Sequence, residues 1–297
     1  MSNTILFGGS GFFGPIILKK DPNIISVGRS TPSLNVSNKH VFIKNLDDLS
    51  NLNKLEFDKV IFLIGSSNHH EINKSPTMGI DFNVYPLKKI LSYLKNKKIK
   101  KFICFTTVLL YDEQKLKFPV NENNSINPYK NDYIFSKYLS EQVVDFYKDY
   151  IPSIIVRLSN IYGYSKLTRP DLVPTIINNI LTKKSVSIWN AKPERDFIFA
   201  EDAADAVLKL LDSDFCGKVN LGTGKSHSIK EIIDIIERLS NKKIISENKL
   251  VTGPMKFVTD ISLIKKLINW EPKFSLEKGL VKTYEISKDL FSQSIQN

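Results

Sequence analysis

Cysteine, tryptophan, methionine and histidine are all scarce in this 297-residue chain, with two, two, three and four residues respectively. Cys104 lies in a strand-like run and Cys216 beside a turn; two such residues exclude a disulfide framework and read as the reduced thiols of a cytoplasmic protein. No His/Cys/carboxylate cluster has metal-ligand spacing. The adjacent His69-His70 diverge on either a helix or a strand, so a loop pair without a metal is expected there. No apolar run is long enough to cross a bilayer, and the chain enters a strand within a few residues of Met1, so neither a membrane span nor a signal peptide is expected. Internal repeats and low-complexity linkers are absent as well.

Acidic residues are outnumbered 31 to 42, which leaves a net charge of +11. The lysines are nonetheless spread along the chain, often beside Asn and Ile, and the densest run, residues 95–101, closes an expected helix where cations complement the dipole. A nucleic-acid partner is therefore not expected; the basic surface favours small anions such as phosphates. An apolar fraction of 42% is ordinary for a globular chain and supplies a sizeable core.

What is present in quantity is alternation of strand and helix patterns. Strand-like runs lie at Thr4-Ile5-Leu6-Phe7, Ile24-Ile25-Ser26-Val27, Val41-Phe42-Ile43, Val60-Ile61-Phe62-Leu63-Ile64, Phe102-Ile103-Cys104-Phe105 and Ile154-Ile155-Val156-Arg157-Leu158, with helical spacing over residues 83–94 and 133–150. This predicts an α/β fold, a Rossmann-type doubly wound parallel sheet with helices on both faces and ligands outside the carboxyl ends of the strands. Beyond about Tyr164 the pattern loosens, through helices at 174–181, 203–211 and 229–239 and strands at 186–189 and 219–221. Residues 1–164 are thus read as a dinucleotide-binding domain, and 165–297 as mainly a smaller substrate lobe, with some later segments returning to the first domain. The tail from Asp289 is expected to fray.

Directly behind the first strand stands Gly8-Gly9-Ser10-Gly11-Phe12-Phe13-Gly14, followed by the helix-like Pro15-Ile16-Ile17-Leu18. A strand that runs into a glycine-spaced turn and then a helix is a phosphate cradle: glycine permits the turn and close backbone approach, and the helix N-terminus offers free N–H groups and a positive dipole end. Gly8, Ser10, Gly11, Phe12, Phe13 and Gly14 are the candidates for a coenzyme pyrophosphate. An acid at the end of the second strand would grip an adenosine ribose; this strand ends Val27-Gly28-Arg29-Ser30 instead, so Arg29 and Ser30 point to a 2′-phosphate and NADP(H) is expected, with NAD(H) as the alternative. Asn45 and Leu46 after the third strand, Ile64 and Gly65 after the fourth, and Asn83 complete the cofactor candidates.

Tyr133 and Lys137 are one helical turn apart, and a cation beside a phenol lowers its pKa from the usual value of about 10, fitting it to exchange a proton with a carbinol during hydride transfer. The spacing alone is weak, because Tyr-x-x-x-Lys also occurs from Tyr85, Tyr93, Tyr111, Tyr162 and Tyr284. Context selects Tyr133: the strand ending Phe105-Thr106-Thr107 puts hydroxyls at the carboxyl edge of the sheet, where Thr107 reaches the same substrate oxygen.

With these segments in order, the chain resembles an extended short-chain dehydrogenase/reductase of the NAD-dependent epimerase/dehydratase family, whose members modify sugar nucleotides. Gly8, Gly11 and Gly14 resemble its glycine signature, Thr107 its strand-end hydroxyl, and Tyr133 with Lys137 its catalytic pair. Arg157-Leu158-Ser159-Asn160-Ile161-Tyr162-Gly163 resembles its R-x-x-N-x-Y-G segment, and Arg195-Asp196-Phe197 the segment whose Arg holds the nucleotide diphosphate. Asn220-Leu221-Gly222-Thr223-Gly224 and Trp270-Glu271-Pro272 resemble its later signatures. The resemblance implies catalytic Thr107, Tyr133 and Lys137, substrate contacts from Asn160, Arg195 and Lys256, specificity in residues 165–173 and the later lobe, and a homodimer through the helices at 83–94 and 133–150. Two departures matter. Val108-Leu109 stand where dehydratases carry Asp-Glu, and Thr252-Gly253-Pro254-Met255-Lys256 replaces an R-P-x-D segment, leaving Lys256 to substitute for its arginine.

The expected activity is that of a cytoplasmic NADPH-dependent reductase of a 4-keto nucleotide sugar, in deoxysugar or surface-polysaccharide biosynthesis. The alternative is a C4 epimerase with tightly bound NAD. A non-catalytic dinucleotide sensor is the remote third reading, disfavoured because Tyr133 and Lys137 are both kept.

Overall fold

The computed structural model describes residues 4–75, 77–167, 170–251 and 253–296, with side chains as far as Gln293. Thr168 and Arg169 of the 165–173 specificity segment, and Thr252 of the segment before Lys256, lie outside the described residues.

The first half alternates strand and helix: β1 (Thr4–Phe7), α1 (Gly14–Lys20), β2 (Ile25–Gly28), β3 (His40–Phe42), β4 (Lys59–Phe62), α2 (His69–Ile72), α3 (Tyr85–Leu94), β5 (Lys101–Thr107), α4 (Asp132–Phe146) and β6 (Ser153–Leu158). It continues with β7 (Asn160–Tyr162), α5 (Leu172–Thr182), β8 (Val186–Ile188), β9 (Glu194–Arg195), β10 (Phe197–Phe199), α6 (Ala200–Leu211) and β11 (Gly217–Leu221). The chain closes with β12 (His227–Ser228), α7 (Ile229–Ser240), β13 (Ile244–Ser246), α8 (Ser262–Ile268) and α9 (Leu276–Gln296). Seven parallel strands form one sheet in the order β11-β6-β5-β4-β1-β2-β3. The order reverses at β1, where the chain crosses from building one edge to building the other, and that switch point opens the crevice in which α/β sheets bind ligands. The fold is the expected doubly wound Rossmann-type sheet.

Because successive side chains of a strand point to opposite faces, each strand feeds two cores. Leu6, Ile61, Ile103 and Val156 pack with Ile16 and Ile17 of α1 and Ala203 and Val207 of α6. Ile5, Phe7, Val60, Phe62, Phe102 and Cys104 pack with Leu87, Ile90 and Leu91 of α3 and Val144 of α4. Smaller sheets follow: β7 runs parallel to β10, β8 parallel to β13, and β9 antiparallel to β12. A reciprocal capping box starts α7, Ser228 accepting from the Glu231 N–H and Glu231 from the Ser228 N–H, and Asn241 ends it in the left-handed region at φ 55°.

Four local expectations are corrected. The helix expected over 83–94 begins at Tyr85, behind a π-helical turn over Ile80–Val84 that turns Asn83 inward to 3% exposure. The basic run 95–101 is not wholly a solvated helix end: Lys101 opens β5, is 5% exposed and donates to the Phe215 carbonyl at 2.6 Å. His69-His70 begin the single turn of α2 instead of a loop, capped by the Asn68 side chain. The tail does not fray at Asp289; α9 runs on to Gln296, its earlier turns packed on α5 and α7.

Candidate active site

Along the carboxyl ends of β1, β4, β5 and β6 lies a cleft of about 710 Å³. The glycine turn forms one end. Gly8 adopts φ +87° and its Cα faces Ile64 N and Leu63 C, which a Cβ would approach to 3.1 Å; at Gly14 a Cβ would stand 2.6 Å from Gly9 Cα. Both positions therefore require glycine for the turn to fold tightly against β4 and α1. The Gly11 N–H donates back to the Gly8 carbonyl at 3.1 Å, and Pro15 begins α1 without wasting a donor. Gly8, Gly11, Phe12, Phe13, Gly14, Ile64 and Gly65 line the cleft as expected, Phe13 braced edge-on against Phe105 at 5.7 Å. Ser10 is half-buried in the turn but stands outside the lining.

The proton-transfer candidates occupy the next stretch of wall. Thr107 is the last residue of β5; its Oγ1 accepts the Leu109 N–H at 3.2 Å, so the hydroxyl hydrogen is left to donate. Tyr133 and Lys137 project from the first two turns of α4, and Lys137 Nζ lies 5.9 Å from the centre of the Tyr133 ring. All three line the cleft, Tyr133 at 5% exposure. Burial holds the Lys137 ammonium down to about 8, a weakly held charge that any incoming hydroxyl or anion would stabilise. Asn83 stands behind them as a hub: it donates to Ser136 Oγ at 2.9 Å, while its Oδ1 accepts from Ser66 N–H at 2.8 Å and Lys137 Nζ at 3.5 Å.

Behind α4 a buried ion pair fixes the helix to the sheet. Arg157 of β6 donates Nε and NH2 to the two Glu141 oxygens at 2.9 and 2.8 Å, and Thr106 donates its hydroxyl to Glu141 at 2.9 Å. A bidentate fork with a third donor is the geometry in which a desolvated pair is compensated. Glu141 was not singled out in the sequence; a glutamate inside an amphipathic helix gives no sign that its partner lies on a strand sixteen residues away.

The second wall comes from β7, β10 and the start of α5. Asn160 lines the cleft and donates to the Asp196 carbonyl at 3.2 Å; Asp171, Leu172, Val173 and Phe197 join it. Arg195 and Lys256 do not line this cleft. Arg195 donates to its neighbour's carbonyl, Glu194 O, at 2.9 Å and feels the carboxylate of Glu113, while Lys256 pairs with Glu194 at 3.1 Å. Asp196 is not the partner of Arg195: fully buried, it accepts from Thr223 N–H and Oγ1, Gly224 N–H and Thr259 N–H, tying two later loops together. Asp202 likewise accepts from the Lys273 and Phe274 N–H groups, both at 3.0 Å. Arg29 and Ser30 are exposed after β2, and Asn45 caps its own turn, accepting from Asp47 and Asp48; with Leu46, none of the four borders the cleft. Among the described residues no group of three or more His, Cys, Asp or Glu is arranged to hold a metal ion, and no helix is long and apolar enough to cross a membrane.

The tight glycine cradle at the switch point, continuous with a lysine-backed tyrosine, fits a dinucleotide, and this is the architecture of an extended short-chain dehydrogenase/reductase. The NAD dependent epimerase/dehydratase family matches over residues 4–222, and the chain belongs to that family. A UDP-glucuronate 4-epimerase of Thermodesulfobacterium geofontis is 27% identical over 317 residues, covering 97% of each chain. A putative UDP-glucose 4-epimerase of Methanocaldococcus jannaschii is 28% identical over 298 residues, covering 93% of this chain and 95% of the relative. In fold, the chain is similar to the UDP-glucose 4-epimerase of Thermotoga maritima crystallised with UDP-glucose, with a TM-score of 0.86, 21% identity and coverage of 98% and 99%. It is similar also to the UDP-glucuronic acid 4-epimerase of Bacillus cereus in complex with UDP-glucuronic acid and NAD, with a TM-score of 0.82, 23% identity and coverage of 97% and 99%.

Proposed function

We propose that the protein is a nucleotide-sugar C4 epimerase using NAD, with Tyr133 as the acid/base, Lys137 as its electrostatic support and Thr107 as the hydroxyl that orients the reacting oxygen. The observation that carries the reading is the meeting of these three side chains with the glycine turn in one cleft. A bound dinucleotide supplies a hydride acceptor and donor that is regenerated in each turnover. Gly8, Gly11 and Gly14 hold its diphosphate. Thr107 and Tyr133 hydrogen-bond the sugar oxygen; Tyr133 takes the hydroxyl proton in one direction and returns it in the other, while Lys137 favours the phenolate. Asn160 and Arg195 are assigned to the substrate's nucleotide diphosphate, Arg195 as a bidentate donor and Lys256 as a second cation.

The epimerase is preferred to the NADPH-dependent 4-keto reductase because two relatives that match nearly end to end bear epimerase names. NAD is preferred to NADP(H) because the family is named for it, whereas the 2′-phosphate reading rests on Arg29 and Ser30, which are exposed and do not border the cleft. A dehydratase is disfavoured on chemistry: Val108 and Leu109, at the cleft beside Thr107, carry nothing that titrates. Residues 165–297 are proposed as mainly the substrate lobe. A homodimer through α3 and α4 is supported by aromatic side chains exposed on and beside those helices, Tyr85 at 49%, Phe146 at 70% and Tyr150 at 52%.

The test is incubation with UDP-glucose, UDP-N-acetylglucosamine or UDP-glucuronate, separation of C4 epimers, and assay of the dinucleotide released on denaturation. Interconversion without net coenzyme change is expected. Tyr133→Phe should lower kcat by about 10²–10⁴ while coenzyme content is unchanged. Stoichiometric loss of NADPH with a 4-keto sugar nucleotide, and no interconversion, would restore the reductase.

A further inference from the structure

We propose that His69 is a positioning residue for Tyr133: its imidazole is a plate on which the phenol ring rests, and it acts with Asn73, at the other end of the same short turn, to fix the tyrosine in the cleft. The inference rests on the proposed role of Tyr133.

Two contacts from one segment converge on one residue. The rings of His69 and Tyr133 are stacked, with centroids 4.9 Å apart and planes 24° apart. Four residues later, Asn73 Oδ1 accepts the Tyr133 N–H at 3.0 Å. That N–H belongs to the first turn of α4, where backbone donors lack intrahelical acceptors; Asn131 caps the next one, from Ile134, at 3.0 Å. Asn73 thus fixes where the backbone of Tyr133 starts and His69 limits where its ring can go. Ile72, between them, is fully buried in a small cluster with Leu110, Tyr133 and Ile134, so the turn that carries both contacts is itself anchored.

Stacking needs a flat ring of ordinary polarity, and burial lowers the His69 pKa while the charge of Asp171 opposes that shift. The ring's role here is shape, so phenylalanine should replace it and alanine should not. A phenol free to rotate away from its working position loses the alignment on which proton transfer depends, whereas substrate affinity, which other walls of the cleft supply, is spared.

The experiment compares His69→Ala with His69→Phe in the full chain. Biosynthetic incorporation of 3-fluorotyrosine gives eleven ¹⁹F signals, of which Tyr133 is assigned by its loss in Tyr133→Phe. His69→Ala is expected to shift and broaden that signal and to lower kcat on the order of tenfold or more, with KM within about twofold. His69→Phe is expected to restore a sharp signal and to bring kcat to within about threefold of wild type. An unchanged signal and unchanged kcat in His69→Ala overturns the proposal, as does a His69→Phe variant as damaged as His69→Ala. If instead Tyr133→Phe turns over like wild type, the catalytic reading of Tyr133 fails; the ¹⁹F comparison then still decides whether His69 holds the ring.

Discussion

On one side of the cleft, β1, β4 and β5 end side by side and hand over at once to the glycine turn, to Ile64-Gly65 and to Thr107. On the other side, Asn160, Phe197 and Asp171 come from a two-stranded sheet of short strands and a helix start, held by Asp196 reaching loops at Thr223 and Thr259. Most of the first wall is local in sequence: the glycine turn, Ile64-Gly65 and Thr107 each lie within a few residues of a strand whose buried register fixes them, while Tyr133 and Lys137 come from a helix, α4. The second is assembled from segments far apart in the chain and depends on one desolvated carboxylate to lock them. On the proposed reading, the difference separates a coenzyme wall common to many proteins from the wall that chooses a substrate.

The sharpest way to break the first wall is from behind. Glu141→Ala leaves Arg157 buried without its partner, and the loss of stability is expected to be about 3–5 kcal/mol in urea titration. It should fall on the α4–β6 unit and hence on Tyr133; a loss below about 1 kcal/mol would mean that the pair is not desolvated as drawn. Beyond the second wall, and off the cleft lining itself, the proposed diphosphate contact is probed at Arg195. Arg195→Ala is expected to weaken UDP-sugar binding by about 10–100-fold, the worth of a charge-assisted hydrogen bond pair, and to leave coenzyme affinity unchanged. Equal weakening of both ligands would mean that Arg195 supports the fold and not the substrate.

Smaller effects sharpen the same contrast. Lys137 titrates near 8 in the folded chain against 10.5 when free, so the unfolded state binds more protons between those values. Stability should therefore rise with pH across that window. Below it the folded protein carries a desolvated charge. Lys137→Met is expected to melt a few degrees higher than wild type at pH 7, with the gap closing as pH rises through 8 toward 10.5, and to lose turnover. A lower melting point at pH 7 would show that the ammonium is stabilised by contacts. The smallest effect is expected at Arg29, which is exposed and stands off the cleft: Arg29→Ala should leave the Kd for NAD(H) within about twofold, and a tenfold or greater loss for NADP(H) alone would revive the 2′-phosphate reading.

Legibility follows the same division. The sequence carries no strand order, but strand existence follows from short apolar runs, the Tyr133–Lys137 face from the helical period of 3.6 and the turn from glycine spacing. His69-His70 reads in the sequence as a metal-free loop pair, because adjacent side chains diverge and cannot share an ion. The contact of His69 is with a ring sixty-four positions away, and no local period encodes that distance. Asp196 carried a motif resemblance but its four donors come from loops with irregular patterns. Asn83 is expected among the cofactor residues; its buried side chain, carried inward by a π-helical turn that a regular helical count passes over, accepts from the Ser66 N–H and Lys137 and donates to Ser136.

The measurement that bears most directly on the central claim uses a UDP-hexose carrying deuterium at C4, the protein alone and no added coenzyme. If the cleft keeps the transferred hydrogen on a resident dinucleotide while Tyr133 handles only the proton, mass spectrometry will show the C4 epimer with its deuterium retained. Epimer formed with the label exchanged for solvent hydrogen, or no epimer from any UDP-hexose, would contradict it.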